Sequence, residues 1–367
     1  MQPFLSRFSI GVVNWRKAFY DRGRAQNDDH QLTAGNMKPP ISLVYWASGS
    51  GIEKDLNILK KALEANGYAF DEIVTRARES RKERILKAAG QALRLFRPRP
   101  VQIHVEQIHR EQFQFAKHNL ILPNQEFTDP RIFRKIRSPF HILCKTQYAC
   151  SLFSELDLPH SFLGFTSEDR LLRGREKNFR GFLHVAGKSR FKGTSAVVEA
   201  WRRHPEWPTL TLVQSKMDCY GVPIATPAEI PNIRLINEWV PEHELKALQN
   251  ECGIHLCPSE MEGFGHYINE GLSAGAVVLT TNAPPMSELV SSTHGILMEA
   301  VEMKTYFMGQ RWGVSPESLE QAVDTVLQLP LESLERMSSF ARQSFMTRDS
   351  SFRKRIRTVL DSLPLER

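Results

Sequence analysis

Short β-rich apolar runs alternate along this chain with longer stretches whose apolar residues recur at helical spacing. The run at 41–46 leads into the small-residue turn Ala47-Ser48-Gly49-Ser50-Gly51, and a helix is expected over 53–66, stopping at Gly67. The same alternation predicts strands at 101–106, 119–122, 140–144 and 161–165, with helices at 112–117 and 147–156 between them. Residues 167–180 are polar and charged, and read as an interdomain linker. A second series then places strands at 182–186, 209–213, 233–236, 254–257, 276–280 and 295–298. Its helices are expected at 194–203, capped by Thr194, at 242–250, in a segment ending near Gly275, and at 316–327, 331–346 and 352–363.

Strands and helices alternating at this pitch imply an α/β protein of two doubly wound, parallel-sheet domains, each with its own core. The boundaries read from the pattern are an arm and linker at 1–38, a first domain at 39–178, a second at 179–346 and a closing helix at 347–367. Ligands of such sheets gather beyond the carboxyl ends of the strands. That rule puts His104, Glu106, Asn124, Glu126, Lys145 and Thr146 in the candidate cleft of the first domain. The turn Gly49-Ser50-Gly51 belongs with them as a place where backbone can approach a phosphate or an acceptor, although Lys54 stands where a dinucleotide-binding turn has its third glycine.

Charge changes the picture through its placement. The net charge is +7 over 367 residues, and residues 76–99 hold nine Lys/Arg against two acids (9 − 2 = +7), leaving the remainder neutral. One basic stretch of this kind, from Arg76 to Arg99, points to an anionic surface. No aromatic interleaving or reader motif accompanies it, so the surface expected is a membrane rather than nucleic acid. Phe4, Phe8, Val12, Trp15 and Phe19, with basic residues between, form an amphipathic helical pattern that suits a bilayer interface or an arm packed on the domain. The sequence contains no apolar run long enough to span a bilayer and no signal-peptide core, and its five cysteines sit mostly in apolar segments as reduced thiols would. These features suggest the cytoplasm, with peripheral attachment to the inner face of the membrane.

Two strand-to-helix turns in the second series carry the chemistry. The first, Gly187-Lys188-Ser189-Arg190-Phe191-Lys192-Gly193, packs three cations into a short loop, a costly arrangement that a nucleotide diphosphate would relieve. The second runs from Pro258 to Gly271 and sets Glu262 and Glu270 on either side of Gly263-Phe264-Gly265, at the start of a helix whose first amides have no internal partners. Carboxylates accept from hydroxyls and repel phosphate, so the two glutamates suit sugar hydroxyls flanking an anion.

Glu262 and Glu270, with seven residues between them, resemble the E-x7-E signature of retaining glycosyltransferases of the GT-B fold, family 4 in particular. Lys192-Gly193 is similar to the end of that family's basic loop, with Lys188 or Arg190 as the early basic residue. The resemblance extends from about Phe182 to Met298 and is weak in the first half. It implies that Glu262 sits by the transferred sugar, Glu270 holds the ribose, the amides of Gly263, Phe264 and Gly265 meet the diphosphate, and Val240 lies against the base. It also implies that a histidine of the first domain stands near the donor sugar, for which His104 and His118 are candidates, and that the last helix crosses back to the first domain.

The activity expected is transfer of one sugar from a nucleotide diphosphate sugar to an acceptor hydroxyl, with Lys192, Arg190 or Lys188 stabilising the leaving diphosphate and no metal or other cofactor required. No metal-ligand spacing and no Asp-x-Asp is found in the sequence. A phosphorylase or epimerase on the same fold, distinguished by offering orthophosphate as acceptor, and an inactive nucleotide-sugar-binding partner, excluded by donor hydrolysis, are the other readings. The expected setting is cell-surface polysaccharide, lipopolysaccharide or glycolipid synthesis on a sugar or lipid-linked acceptor.

Overall fold

A computed structural model describes residues 38–363 other than 39, 47–49, 76–94, 96 and 226–228. The N-terminal amphipathic arm, Gly49 and nearly all of the basic stretch lie outside the described residues. Of the small-residue turn, Ser50 and Gly51 are described as the first backbone positions of α1 (Ser50–Ala65).

Six strands form the first sheet: β1 (Ile41–Trp46), β2 (Phe70–Thr75), β3 (Arg99–Glu106), β4 (Ala116–Pro123), β5 (His141–Cys144) and β6 (His160–Phe162). They lie in the order β2-β1-β3-β4-β5-β6, every pairing parallel. The interiors of β3 and β4 are buried because both faces of a parallel sheet are covered, and β3 takes Gln102 and His104 into that interior among its apolar residues. β2 was not anticipated: it lies at the sheet edge and is mostly exposed or half-buried, so it lacks the apolar run that marks its neighbours. Residues 112–117, expected as a helix, are a 3-10 turn (Arg110–Phe115) followed by the start of β4, which takes Lys117 into the strand.

The second sheet contains β7 (Asn178–Gly187), β8 (Leu210–Gln214), β9 (Ile233–Ile236), β10 (Cys252–Cys257), β11 (Val277–Thr281) and β12 (Gly295–Met298). Its order is β12-β11-β10-β7-β8-β9, again all parallel. The chain winds outward from β7 in one direction and from β10 in the other, so the crevice between their carboxyl ends is the topological switch point. The other α-helices among the described residues are α2 (Gln147–Glu155), α3 (Thr194–Arg203), α4 (Glu242–Glu251), α5 (His266–Ser273), α6 (Pro316–Gln328) and α7 (Leu331–Asp361).

Three expectations change. The segment 167–180 is no solvated linker: Arg170 is 2% exposed, its Nε donates to Gln249 at 2.8 Å, and its guanidinium pairs with Glu242 and Glu270. The helices expected at 331–346 and 352–363 are one continuous helix, because the polar residues between them bond along and beneath it: Arg353 to Asp349 at 2.8 Å, and Arg348 to Asn269 at 2.7 Å. Its far end does reach the first sheet, where Phe352, Ile356 and Leu360 pack with Leu56, Leu59 and Leu63 of α1. The cores are not separate either, since one cluster joins Ile41, Leu120 and Phe165 to Phe264, Ile268 and Leu272 of the second series. Continuous apolar packing of this kind holds the two sheets together more firmly than a polar hinge would.

Candidate active site

β7 ends at the basic loop and β10 at the glutamate loop, so neighbouring strands at the switch point bring the two turns side by side. Gly193 closes the first turn with φ 66°, and the Pro258 carbonyl lies where its Cβ would stand, so glycine is required on both counts. Thr194 does not cap α3; its hydroxyl meets His184 Nε2 at 2.9 Å, and Gly193 occupies the cap position. The glutamate loop is tied to the basic loop through Glu260 N–H donating to the Phe191 carbonyl at 2.9 Å.

Lys192 Nζ pairs with Glu262 Oε1 and stands 3.8 Å above the centre of the Tyr267 ring. Ser259 donates to the same Glu262 oxygen and shares a 2.7 Å hydrogen bond with Tyr267 Oη. Arg190 faces elsewhere: its Nε binds Asp218 at 2.7 Å and its Nη2 binds the Pro223 carbonyl at 2.6 Å, so the loop beyond β8 satisfies it. Lys188 is exposed. Of the three cations, only Lys192 reaches the glutamate loop.

Gly265, with φ 99°, is the N-cap of α5 and turns the chain into the helix. Phe264 is 4% exposed, with its ring 5.6 Å from Phe165, so it anchors the loop in the core and leaves only its backbone to the site. Glu270, 2% exposed, accepts from Lys54 of α1 at 2.7 Å and from Gln249 at 3.2 Å, with Arg170 at 3.9 Å. Burial works to raise its pKa, but Lys54 and Arg170 outweigh that and leave it below the ordinary value, so it is ionised at neutral pH.

The first sheet supplies the opposite wall. A Cβ on Gly263 would stand 2.5 Å from Glu126 Oε1, which shows how closely Glu126 lies against the glutamate loop. Gln125, beside it, donates to the Gly263 carbonyl at 3.0 Å and the Glu262 carbonyl at 3.3 Å. Burial, reinforced by Glu262 and Glu106, pushes the Glu126 carboxyl up to about 8, so at neutral pH it carries its proton. Asn124 bridges Glu106 at 2.9 Å and Lys145 at 2.5 Å. Glu106 sits at φ 60°, a conformation uncommon for its type, and burial raises its pKa as well.

Lys145 pairs with Asp55, a buried residue of α1 whose other oxygen meets His266 Nε2 at 2.7 Å; His266 Nδ1 in turn meets Ser167 Oγ at 3.0 Å. Burial disfavours the Asp55 charge, yet Lys145 and His266 override it and hold the carboxyl down to about 2. Asp55, Lys54, Gln125, His266 and Tyr267 were all missed as site residues. A signal existed for one: Asp55 occupies the apolar stripe of α1 between Ile52 and Leu59, where a carboxylate needs a buried partner.

Both histidine candidates are displaced. His104 is completely buried, 4.3 Å from the Phe113 ring and facing His109, and burial lowers its pKa to about 3. His118 lies in register with Val101, five residues before the carboxyl end of β4 at Pro123, or roughly 16 Å along the strand. Val240 packs with Leu183, Val213 and Cys252, and its loop borders a cavity of about 260 Å³ between β9 and α4. Among the described residues no His/Cys/Asp/Glu group has the arrangement of a metal site.

Residues 229–344 match the glycosyl transferases group 1 family. No curated protein sequence matches the chain. The fold is similar to a solved glycosyltransferase from Rickettsia africae, with TM-score 0.64 and 13% identity over 88% of this chain and 98% of that one. It is similar to Anabaena HepE, solved with UDP and glucose, with TM-score 0.64 and 14% identity over 89% of this chain and all of the other. Sucrose-phosphate synthase from Thermosynechococcus elongatus shares it too, with TM-score 0.63 and 12% identity over 88% and 98%. The chain therefore has the GT-B fold, and its residues 229–344 match the glycosyl transferases group 1 family.

Proposed function

We propose that the chain is a retaining glycosyltransferase that moves a sugar from a nucleoside diphosphate sugar to an acceptor hydroxyl. The observation that carries this reading is the meeting of Lys192 and Glu262 at the switch point of the second sheet, with Glu126 of the first sheet against Gly263. HepE, a structure of the same fold, binds UDP and glucose at this level of similarity.

Lys192 and the free amides at the start of α5 stabilise the diphosphate charge that grows as the C–O bond breaks. Glu262, already hydrogen-bonded to Lys192 and Ser259, orients the donor sugar, and Glu270 accepts from the ribose hydroxyls while Arg170 and Gln249 fix it in place. Val240 and its cavity lie toward the base. Glu126, Glu106 and Lys145 line the acceptor side. Arg190 acts on the loop shape through Asp218. The setting that fits is assembly of a cell-surface polysaccharide, lipopolysaccharide or glycolipid, with the basic stretch and N-terminal arm holding the enzyme to an anionic membrane.

Incubation with UDP-, GDP- and ADP-sugars tests the reaction. Release of the matching diphosphate, with retained anomeric configuration in the product, is the expected result; inverted configuration, or no release from any donor by the wild type, contradicts it. Flotation with phosphatidylglycerol vesicles tests the attachment: recovery that does not exceed that with phosphatidylcholine overturns it.

A further inference from the structure

Between β12 and α6 the sequence reading placed nothing, yet the structure has a two-stranded antiparallel hairpin there, β13 (Ala300–Glu302) and β14 (Trp312–Val314). The glutamate loop pins it at two points: Trp312 N–H donates to the Glu260 carbonyl at 2.8 Å, and Arg311 pairs with the Glu260 carboxylate. The first half pins it as well, with Gln310 N–H donating to Tyr148 Oη at 3.3 Å and Gly309 lying against Glu126. A small hairpin tethered to both walls is held in one place.

Its tip carries aromatic rings in the open. Tyr306 is 6.2 Å from Phe127 of the first half, 6.0 Å from Phe191 of the basic loop and 4.9 Å from Phe307. Phe127 and Phe307 remain 52% and 56% exposed, and Phe307 holds φ 48°, a strained conformation for a bulky residue. Strained backbone and uncovered rings persist only where the surroundings impose them.

Strand order says where the row lies. β9 and the Val240 loop are at one side of the second sheet, β7 and β10 with Lys192 and Glu262 are central, and β12, which feeds the hairpin, is at the other edge. A donor laid with its base by Val240 and its diphosphate at Lys192 directs its sugar end toward the hairpin. We propose that Phe127, Tyr306 and Phe307 form the acceptor platform and that the acceptor is an oligosaccharide, an assignment that rests on the donor reading above. Pyranose rings have apolar C–H faces that pack on aromatic rings while their edges hydrogen-bond, and a row of neighbouring rings suits successive sugars rather than one small alcohol. Lys304 and Glu302 beside the rings oppose burial in hydrocarbon, so the row is not assigned to membrane insertion.

The test is saturation-transfer NMR of the full chain with maltotriose, cellotriose and chitotriose, alongside sedimentation with phosphatidylcholine vesicles. At least one trisaccharide is expected to receive saturation at its ring protons, with affinity reduced about tenfold in Phe307→Ala and kept in Phe307→Trp. Tyr306→Ala gives a second readout should Phe307→Ala not fold, as judged by its melting transition. Absence of saturation for all three sugars, equal binding in Phe307→Ala and Tyr306→Ala, or vesicle binding lost with the rings overturns the platform. Thermal shift of the wild type with UDP, GDP and ADP reads the donor site separately: saccharide binding without any nucleotide shift leaves the platform standing and removes the donor reading.

Discussion

The two sheets share one parallel build but are furnished differently at their carboxyl edges. In the first, Lys145 and Asp55 are 1% and 2% exposed and are locked to Asn124 and His266, while Glu126 is buried and protonated. In the second, Lys192 and Glu262 remain 15% and 12% exposed, and the amides of α5 lie beside them. Lys145, Asp55, Asn124 and His266 form a buried polar network, which fixes geometry and strongly penalises any loss of a member. The second edge keeps charge within reach of a ligand, as a site must if binding is to exchange one partner for another. Positioning and charge chemistry are thus divided between the halves.

The contrast is broken most severely at Asp55. Replacing it with Asn strands Lys145 in a buried position, and the account predicts a loss of about 3–5 kcal/mol on denaturant unfolding. Lys192→Met sharpens the other side: it removes a cation that is less deeply buried than Lys145, so stability falls by less than at Asp55 while turnover falls by roughly 10²–10³-fold in a donor-release assay.

A smaller effect is expected at Glu126. Its folded pKa is raised from 4.5 to about 8, so the folded state holds more protons than the unfolded chain between those values, and this residue's contribution to stability falls as pH rises from 4.5 to 8. Glu126→Gln should therefore match the wild type near pH 4 and exceed it by about 1–3 kcal/mol at pH 8, measured by denaturation across that range. Smallest of all is His118→Ala, which should leave turnover within about twofold because its strand position is far from the carboxyl edge.

Sequence patterns exposed the second edge better than the first, for a physical reason. Lys192-Gly193 and Glu262 to Glu270 stand within single turns between a strand and a helix, where the spacing of a short segment sets their geometry. The first edge is assembled across the chain: Asp55 meets His266 and Lys145 from distant segments, and Gln125 reaches Glu262 and Gly263. Glu126 and Lys145 could be placed beyond their strands, but not their burial or partners. Arg190 shows the converse limit, since a basic loop does not reveal that Asp218 already neutralises one of its cations. The continuity of α7 through Arg348 and Asp349 was hidden because side chains beneath the helix, not its own apolar pattern, support it there.

The most direct test of the central claim is titration calorimetry of UDP, GDP and ADP into the wild type and Lys192→Met. The account predicts that one diphosphate binds at one site per chain and that Lys192→Met weakens it at least about tenfold. Binding of equal strength in the two proteins, or of none of the three to the wild type, would contradict a diphosphate site between the basic and glutamate loops.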